Sequence, residues 1–184
     1  MSRSARWVLT VMVVQAVLLV AYWVVEHQRV REPSAARALG TEPPQRVEML
    51  MPPLTLGRRD GSIATMSPPA RPTLVHIWAT WCPPCRAELP ALLALPKGRA
   101  VDVVAIALDK DWATVERFLD DQAGSHVFLG DGAQVERAIG VRSLPVTFLL
   151  MPGESRAALR FDGARDWANE SFVQRWLDEA TEPR

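Results

Sequence analysis

The sequence predicts an α/β domain in which a mixed β-sheet is flanked by helices on both faces. Short β-like segments alternate with helical ones, in the order hairpin, strand–helix–strand–helix, and finally hairpin–helix. The segments RPTLVHIWAT and AVDVVAIALD are nearly continuous apolar runs, which is typical of strands buried on both faces. A hydrophobic content of 48% in 184 residues is enough for one core.

The individual elements follow from local signals. LTL and SIATM flank GRRDG, which predicts a hairpin with Asp60 and Gly61 at its turn. A helix is expected to open at the two cysteines and to be kinked by Pro90. Asp111 fits the N-cap of the next helix, and Gly140 closes a short one. VTFLLMPGESRAALRF predicts a second hairpin, and NESFVQRWLDEA a final amphipathic helix.

The first 26 residues predict a membrane anchor. From Trp7 to Val25 the chain has 19 residues without a charge, and as a helix they span about 28 Å, roughly one hydrocarbon core. Arg3 and Arg6 precede this span, so the N-terminus is expected to stay cytoplasmic and the rest to be exported. A cleaved signal peptide is the alternative, although no convincing cleavage site follows.

The rest of the chain divides into a linker, residues 27–46, and a globular domain, residues 47–184. The linker is charged, bears prolines and has no apolar period, as expected of a spacer between a membrane and a domain. Lys and Arg balance Asp and Glu, 21 against 21, so no broad basic surface suggests a nucleic-acid partner.

The only two cysteines of the chain, Cys82 and Cys85, lie in the segment HIWATWCPPCRAELP. They cannot form a disulfide scaffold, and with three scattered histidines they lack the spacing of a structural zinc site. We therefore expect no metal site and no cofactor. A lone C-x-x-C is a redox pair, a two-thiolate metal clip or an accident of composition, and the spacing alone leaves these alternatives open.

The segment WATWCPPCRAELP resembles the active site of thioredoxin-fold oxidoreductases, and more closely that of the membrane-anchored TlpA/ResA branch. The resemblance runs from Leu54 to the C-terminus and implies a thioredoxin-like fold. Its second mark is RSLPVTFLL, because the family carries a cis-proline just before a strand, and Pro145 matches it. An ordinary trans proline is the alternative.

The resemblance implies that Cys82 is the exposed attacking sulfur and that Cys85 resolves the mixed disulfide. A cysteine at a helix N-terminus is favoured as the thiolate by unpaired N–H groups and by the helix dipole. Substrate contacts are expected from the residues around the redox pair and the proline: Trp81, Pro83, Pro84, Leu144 and Pro145. For Trp81 a plain core position is the alternative.

Two further residues are candidates for proton transfer. Glu88 matches an acid that, in the ResA-like branch, helps to remove the proton of the buried thiol; alternatively it is a surface carboxylate paired with Arg86 or Arg99. His76 departs from the family, which has Asp or Asn six residues before the first cysteine. It is either a proton acceptor or a neutral core residue bonded to a backbone carbonyl.

These observations predict a membrane-anchored extracytoplasmic thiol-disulfide oxidoreductase, mainly a reductase, that faces the periplasm or the cell exterior. The resemblance implies client proteins with disulfides or thiols, such as apocytochrome c or copper-site assembly factors, and a membrane electron donor of the DsbD/CcdA type. One alternative is a Cu(I)-binding module built on the two cysteines, with Met49 and Met51 nearby in sequence. A general disulfide oxidase or isomerase is another.

Overall fold

The structure is a computed structural model that describes residues 39–40, 42–120, 124 and 126–181, together with Trp7, Met12, 14–20 and Tyr22. The chain divides into two units, Met1–Ala38 and Leu39–Arg184. In the first unit, the described residues are helical and their large apolar side chains are exposed. Within these described ranges, no helix is both long enough and apolar enough to cross a membrane. The rest of the predicted anchor and most of the predicted linker lie outside the described residues.

The second unit contains a mixed eight-stranded sheet, as the sequence predicts. Its strands are β1 (Gln45–Leu50), β2 (Thr55–Gly57), β3 (Ile63–Thr65), β4 (Thr73–Trp78), β5 (Asp102–Ala107), β6 (Val127–Gly130), β7 (Val146–Leu150) and β8 (Arg156–Asp162). The helices are α1 (Pro83–Gly98), α2 (Trp112–Leu119), α3 (Gly132–Ile139) and α4 (Glu170–Thr181). The strand order across the sheet is β1-β8-β7-β4-β5-β6-β2-β3.

Strand β4 lies at the centre of the sheet and positions the cysteine segment. All six of its residues are buried, as its apolar sequence predicts. It runs parallel to β5 and antiparallel to β7, with His76 opposite Ala105 on one side and Thr147 on the other. The chain then leaves the carboxyl end of β4 and enters α1 through a short loop.

Two apolar clusters cover the two faces of the sheet. Leu74 and Trp78 belong to the cluster that includes buried residues of α1, α2 and α4. Val75 and Ile77, which alternate with them along β4, belong to the cluster that includes buried residues of α3. Successive strand residues point to opposite faces of the sheet, so the two clusters lie on opposite faces. Helices therefore pack on both faces, as predicted.

The sequence signals at the helix ends are confirmed. The Asp111 carboxylate accepts a hydrogen bond from the backbone N–H of Thr114 at 2.9 Å and so caps α2. Gly140 ends α3 with a φ of 64°, in the left-handed region that favours glycine. Helix α1 continues through Pro90 to Gly98, and its kink at Pro90 stays a prediction.

The sequence analysis identifies no strand at β1 and places its first two residues, Gln45 and Arg46, in the linker. Strand β1 pairs antiparallel with β8, near the other end of the chain. Only Val47 and Met49 alternate as half-buried apolar residues with exposed neighbours, and two positions are too few to mark a strand from the sequence.

Candidate active site

The two cysteines form a disulfide at the N-terminus of α1. The bond joins the sulfurs of Cys82 and Cys85, whose Cα atoms lie 5.3 Å apart. Cys82 is the N-cap of the helix, and its sulfur accepts a hydrogen bond from the backbone N–H of Cys85 at 3.3 Å. Pro83 and Pro84 occupy the first helical positions and have no N–H, so Cys85 supplies the first donor that the helix offers.

The exposure of the two cysteine residues differs from the expectation. Cys82 was predicted to be an exposed residue, but it is only 5% exposed, and Cys85 is fully buried. The disulfide belongs to the apolar cluster beneath α1, which explains why so little of Cys82 reaches the surface. Trp81, next to it, is 67% exposed, so the plain core alternative for Trp81 is wrong.

Pro145 follows a cis peptide bond from Leu144 and directly precedes β7. The register of β7 against β4 pairs Val146 with Ile77. Pro145 therefore lies at the carboxyl end of β4, the end from which the cysteine loop leaves. Pro145 is buried and Leu144 is half-buried against both apolar clusters.

Glu88 lies one helical turn after Cys85 and is completely buried. Its Oε2 accepts hydrogen bonds from the backbone N–H of Arg165 and from the indole Nε1 of Trp167, both at 2.7 Å. Burial raises the pKa of Glu88 to about 7, although these hydrogen bonds and the positive charge of Arg165 act in the opposite direction. The alternative of a surface carboxylate paired with arginine is therefore wrong.

His76 is completely buried in the middle of β4. Its Nδ1 lies 2.9 Å from the hydroxyl oxygen of Thr147, its direct cross-strand partner, and its Nε2 lies 3.7 Å from Oε1 of Glu88. Burial lowers the pKa of His76 to about 3, so the imidazole is neutral at neutral pH. The expected backbone carbonyl partner was wrong, because the sheet register supplies a hydroxyl instead.

Asp109 is a site residue that the sequence analysis did not identify. It follows β5, is buried, and accepts hydrogen bonds from the backbone N–H of Thr80 at 3.0 Å and from its hydroxyl at 2.6 Å. These bonds fix the loop that leads into Cys82. Its position at the carboxyl end of a strand next to β4 was the signal that could have identified it.

Replacing Asp109 by alanine should lower the free energy of unfolding by about 1–3 kcal/mol, because two donors of Thr80 lose their acceptor. Urea denaturation of the oxidised protein measures this. Asp102→Ala is the control, since its ion pair with Arg71 is about half exposed on both sides, and it should cost less than about 1 kcal/mol. Equal losses in the two variants would contradict a special role for Asp109.

The two methionines of the copper alternative, Met49 and Met51, do not belong to the apolar cluster that holds the cysteines. Met51 is buried and Met49 is half-buried, both in the apolar cluster on the α3 face, whereas the disulfide belongs to the opposite cluster. Within the part of the chain that the structure describes, no group of three or more His, Cys, Asp or Glu residues could hold a metal ion.

Comparison with known proteins identifies the family. Residues 46–153, more than half of the chain, match the model of the redoxin family. The chain belongs to the redoxin family. Its curated relatives include thiol-disulfide oxidoreductase ResA of Halalkalibacterium halodurans, 29% identical over 110 residues, which cover 58% of this chain and 62% of that protein. Thiol:disulfide interchange protein DsbE of Yersinia pestis is 33% identical over 111 residues, covering 58% and 56% of the two chains.

Solved structures of this redoxin's relatives share its fold. StoA from Bacillus subtilis is 21% identical with a TM-score of 0.54, and the match covers 72% of this chain and 98% of that one. A thioredoxin-family thiol:disulfide interchange protein from Chlorobium tepidum is 22% identical with a TM-score of 0.57, covering 72% and 99%. The predicted thioredoxin-like fold and the resemblance to the TlpA/ResA branch are thus confirmed. The chain spans about 60% of the length of the first curated relatives that it matches.

Proposed function

We propose that this redoxin is a thiol-disulfide oxidoreductase that exchanges its Cys82–Cys85 pair with client proteins, mainly as their reductase. The observation that carries the proposal is the disulfide at the N-terminus of α1, directly after the buried β4 and at the same sheet edge as the cis-proline Pro145. Relatives named as thiol-disulfide oxidoreductases and disulfide interchange proteins support the reaction class.

The exchange proceeds in two balanced steps. The Cys82 thiolate attacks one sulfur of a client disulfide, a mixed disulfide forms, and the second client sulfur leaves as a thiolate. Cys85 then loses its proton and attacks the Cys82 sulfur, which releases the first client sulfur as a thiolate. Two electrons have passed to the client, and the protein is left with the disulfide seen in the structure.

Cys82 is the attacking residue because its surroundings favour the thiolate and because only it reaches the surface. The backbone N–H of Cys85 donates to its sulfur, and the positive end of the α1 dipole lies at the same position. Cys85 is buried in the core, so it can attack only the neighbouring Cys82 sulfur, once that sulfur is bonded to the client.

Glu88 is proposed to take the proton of Cys85. It lies one turn along the same helix, and both side chains are fully buried, so solvent has no direct access to that proton. A carboxyl whose pKa burial raises to about 7 exchanges protons readily near neutral pH.

The docking surface for clients is proposed to consist of the exposed indole of Trp81, Pro83, Pro84, and the backbone of Leu144 before Pro145. Trp81 and Pro83 are exposed beside the disulfide, and Pro84 is half-buried. An extended client segment can pair with the backbone ahead of Pro145 in the manner of an added strand.

We further propose that residues 1–26 anchor the protein in the cytoplasmic membrane and that the redox domain faces the periplasm or the cell exterior. The uncharged span from Trp7 to Val25 and the exposed apolar side chains of its described residues support the anchor. The proposed electron source is a membrane donor of the DsbD/CcdA type. Proposed clients are proteins such as apocytochrome c or copper-site assembly factors.

Turnover and copper binding of cysteine variants test the proposed function. The purified reduced protein should reduce a protein disulfide such as that of insulin, and Cys82→Ala should abolish this turnover because the attacking thiolate is gone. The same preparations are titrated with Cu(I), since a copper module would instead bind metal stoichiometrically and lose it in either cysteine variant. The measured reduction potential and refolding of a scrambled substrate separate a reductase from an oxidase or isomerase.

A further inference from the structure

Two buried polar atoms without hydrogen-bond partners face each other across the interface between β4 and α1. Nε2 of His76 and Oε1 of Glu88 are both fully buried, and among the described residues neither finds a partner. They lie 3.7 Å apart, beyond a normal hydrogen bond but within reach of one after a shift of about 0.8 Å. Unpaired buried polar atoms are costly, so a facing pair of this kind calls for a physical explanation.

Each of the two side chains is fixed through its other polar atom. Thr147 holds Nδ1 of His76 at 2.9 Å, in a pairing that the sheet register imposes. Arg165 and Trp167 hold Oε2 of Glu88, each at 2.7 Å. Of the polar side-chain atoms of His76 and Glu88, the two that face each other are therefore the ones without a hydrogen-bond partner among the described residues.

Few other titratable or charged groups surround this pair. Cys85 lies one turn away on α1, and Arg165 approaches from the segment between β8 and α4. The guanidinium of Arg165 donates to the carbonyls of Gly163 and Ala164 and lies 3.5 Å from Glu42. Asp109, the other buried acid among the described residues, accepts hydrogen bonds from Thr80.

We infer that His76 and Glu88 act as one proton-holding pair in which His76 changes tautomer whenever Glu88 gains or loses a proton. In the protonated state Glu88 Oε1–H donates to Nε2, and Nδ1–H donates to the Thr147 hydroxyl. In the deprotonated state Nε2–H donates to the carboxylate, and the Thr147 hydroxyl donates to Nδ1. His76 is thus a positioning residue for Glu88, and Thr147 permits the exchange because a hydroxyl both donates and accepts.

The proton count of the three side chains balances. They hold two exchangeable protons in the deprotonated state, on Thr147 and on Nε2, and three in the protonated state. The third is the proton that Cys85 loses when it becomes a thiolate, while its sulfur keeps the electron pair. This source of the proton rests on the proposed exchange reaction, whereas the tautomer change does not.

The sign of the coupling follows from hydrogen-bond strength. The bond from Nε2–H to a carboxylate is charge-assisted and stronger than the bond from a neutral carboxyl to Nε2. His76 therefore lowers the pKa of Glu88 from the value that burial alone would impose. Without the Thr147 hydroxyl, an Nδ1–H would be an unpaired buried donor, so the ring would keep its proton on Nε2 and favour the carboxylate further.

The experiment is an NMR titration of the full-length protein, labelled with ¹⁵N in histidine and ¹³C in the Glu side chain, from about pH 5 to about pH 9. The ¹⁵N shifts of His76 should pass from the Nδ1–H to the Nε2–H tautomer with the same midpoint as the carboxyl shift of Glu88. A single tautomer throughout the titration would overturn the inference.

Two variants should move the Glu88 midpoint in opposite directions. His76→Phe should raise it by about one pH unit, and Thr147→Val should lower it, while Thr147→Ser should restore the wild-type midpoint. Two control variants should leave the Glu88 midpoint unchanged. One is His126→Asn, outside the site. The other is Thr73→Val, at a buried strand threonine whose hydroxyl donates to the backbone carbonyl of Arg71.

If the Glu88 midpoint shifted in the same direction in His76→Phe and in Thr147→Val, or in neither, the inference would be overturned. If His76→Phe does not fold, the Thr147 variants alone decide it. Because the titration needs no client, a protein that shows the tautomer change but reduces no disulfide refutes the proposed function and leaves this inference standing. A protein that reduces disulfides normally but keeps His76 in one fixed tautomer refutes this inference and leaves the proposed function standing.

Discussion

Cells that produce the Cys85→Ala variant should accumulate a stable mixed disulfide between Cys82 and a client protein. The first attack needs only Cys82, which is 5% exposed and whose sulfur accepts a hydrogen bond from the backbone N–H at position 85, a donor that alanine keeps. The second attack has no thiol, so the intermediate cannot resolve. Non-reducing electrophoresis should reveal a new band that a reductant removes, and mass spectrometry of that band identifies the client.

Cys82→Ala is the matched control for this capture. It keeps a free thiol at Cys85, but that sulfur is fully buried at the base of the α1 N-terminus, so no client should be captured. Equal capture by both variants would show that the assignment of roles is wrong. If the anchor proposal is right, the captured complex should sediment with the membrane fraction and should leave it when residues 1–38 are deleted.

The elements that could be predicted from the sequence are those that local patterns determine. The six buried residues of β4 belong to a nearly continuous apolar run, and Asp111 and Gly140 mark the N-cap of α2 and the C-terminal end of α3. The position of the redox pair at a strand-to-helix junction follows from the same local reading. Strand β1 was missed because its ladder depends on β8, more than a hundred residues later in the chain.

The contacts inside the site depend on tertiary structure and could be predicted only in part. The resemblance indicated Glu88, but its hydrogen bond from Trp167 joins residues 79 positions apart, and no periodic signal links them. The partner of His76 could be named only with the register between β4 and β7, which places Thr147 opposite it. The small exposed fraction of Cys82 likewise reflects how the loop packs on the core.

The two buried titratable side chains have opposite effects on how stability depends on pH. The pKa of Glu88 rises from 4.5 to about 7 in the folded state, so its contribution is fully present below pH 4.5 and is lost as the pH rises through about 7. The pKa of His76 falls from 6.5 to about 3, so its contribution is present above pH 6.5 and is lost as the pH falls through about 3. Between pH 4.5 and pH 6.5 the stability contribution of Glu88 falls as the pH rises, whereas that of His76 rises, so the two partly cancel in the wild-type protein.

Glu88→Gln should separate the two effects, since glutamine has the same shape and does not titrate, while His76 stays in both proteins. The free energy of unfolding of the wild type minus that of the variant should fall by about 3 kcal/mol between pH 4.5 and pH 7, because over this range Glu88 ionises in the unfolded chain but keeps its proton in the folded protein. Urea denaturation of the oxidised proteins at a series of pH values measures this difference. Glu116→Gln is the control, because its ion pair with Arg59 is exposed and its difference should change by less than about 1 kcal/mol. A difference for Glu88→Gln that stayed constant or grew with pH would mean that burial does not raise the pKa of Glu88, and its carboxylate would then be too weak a base to hold the proton of Cys85 near neutral pH.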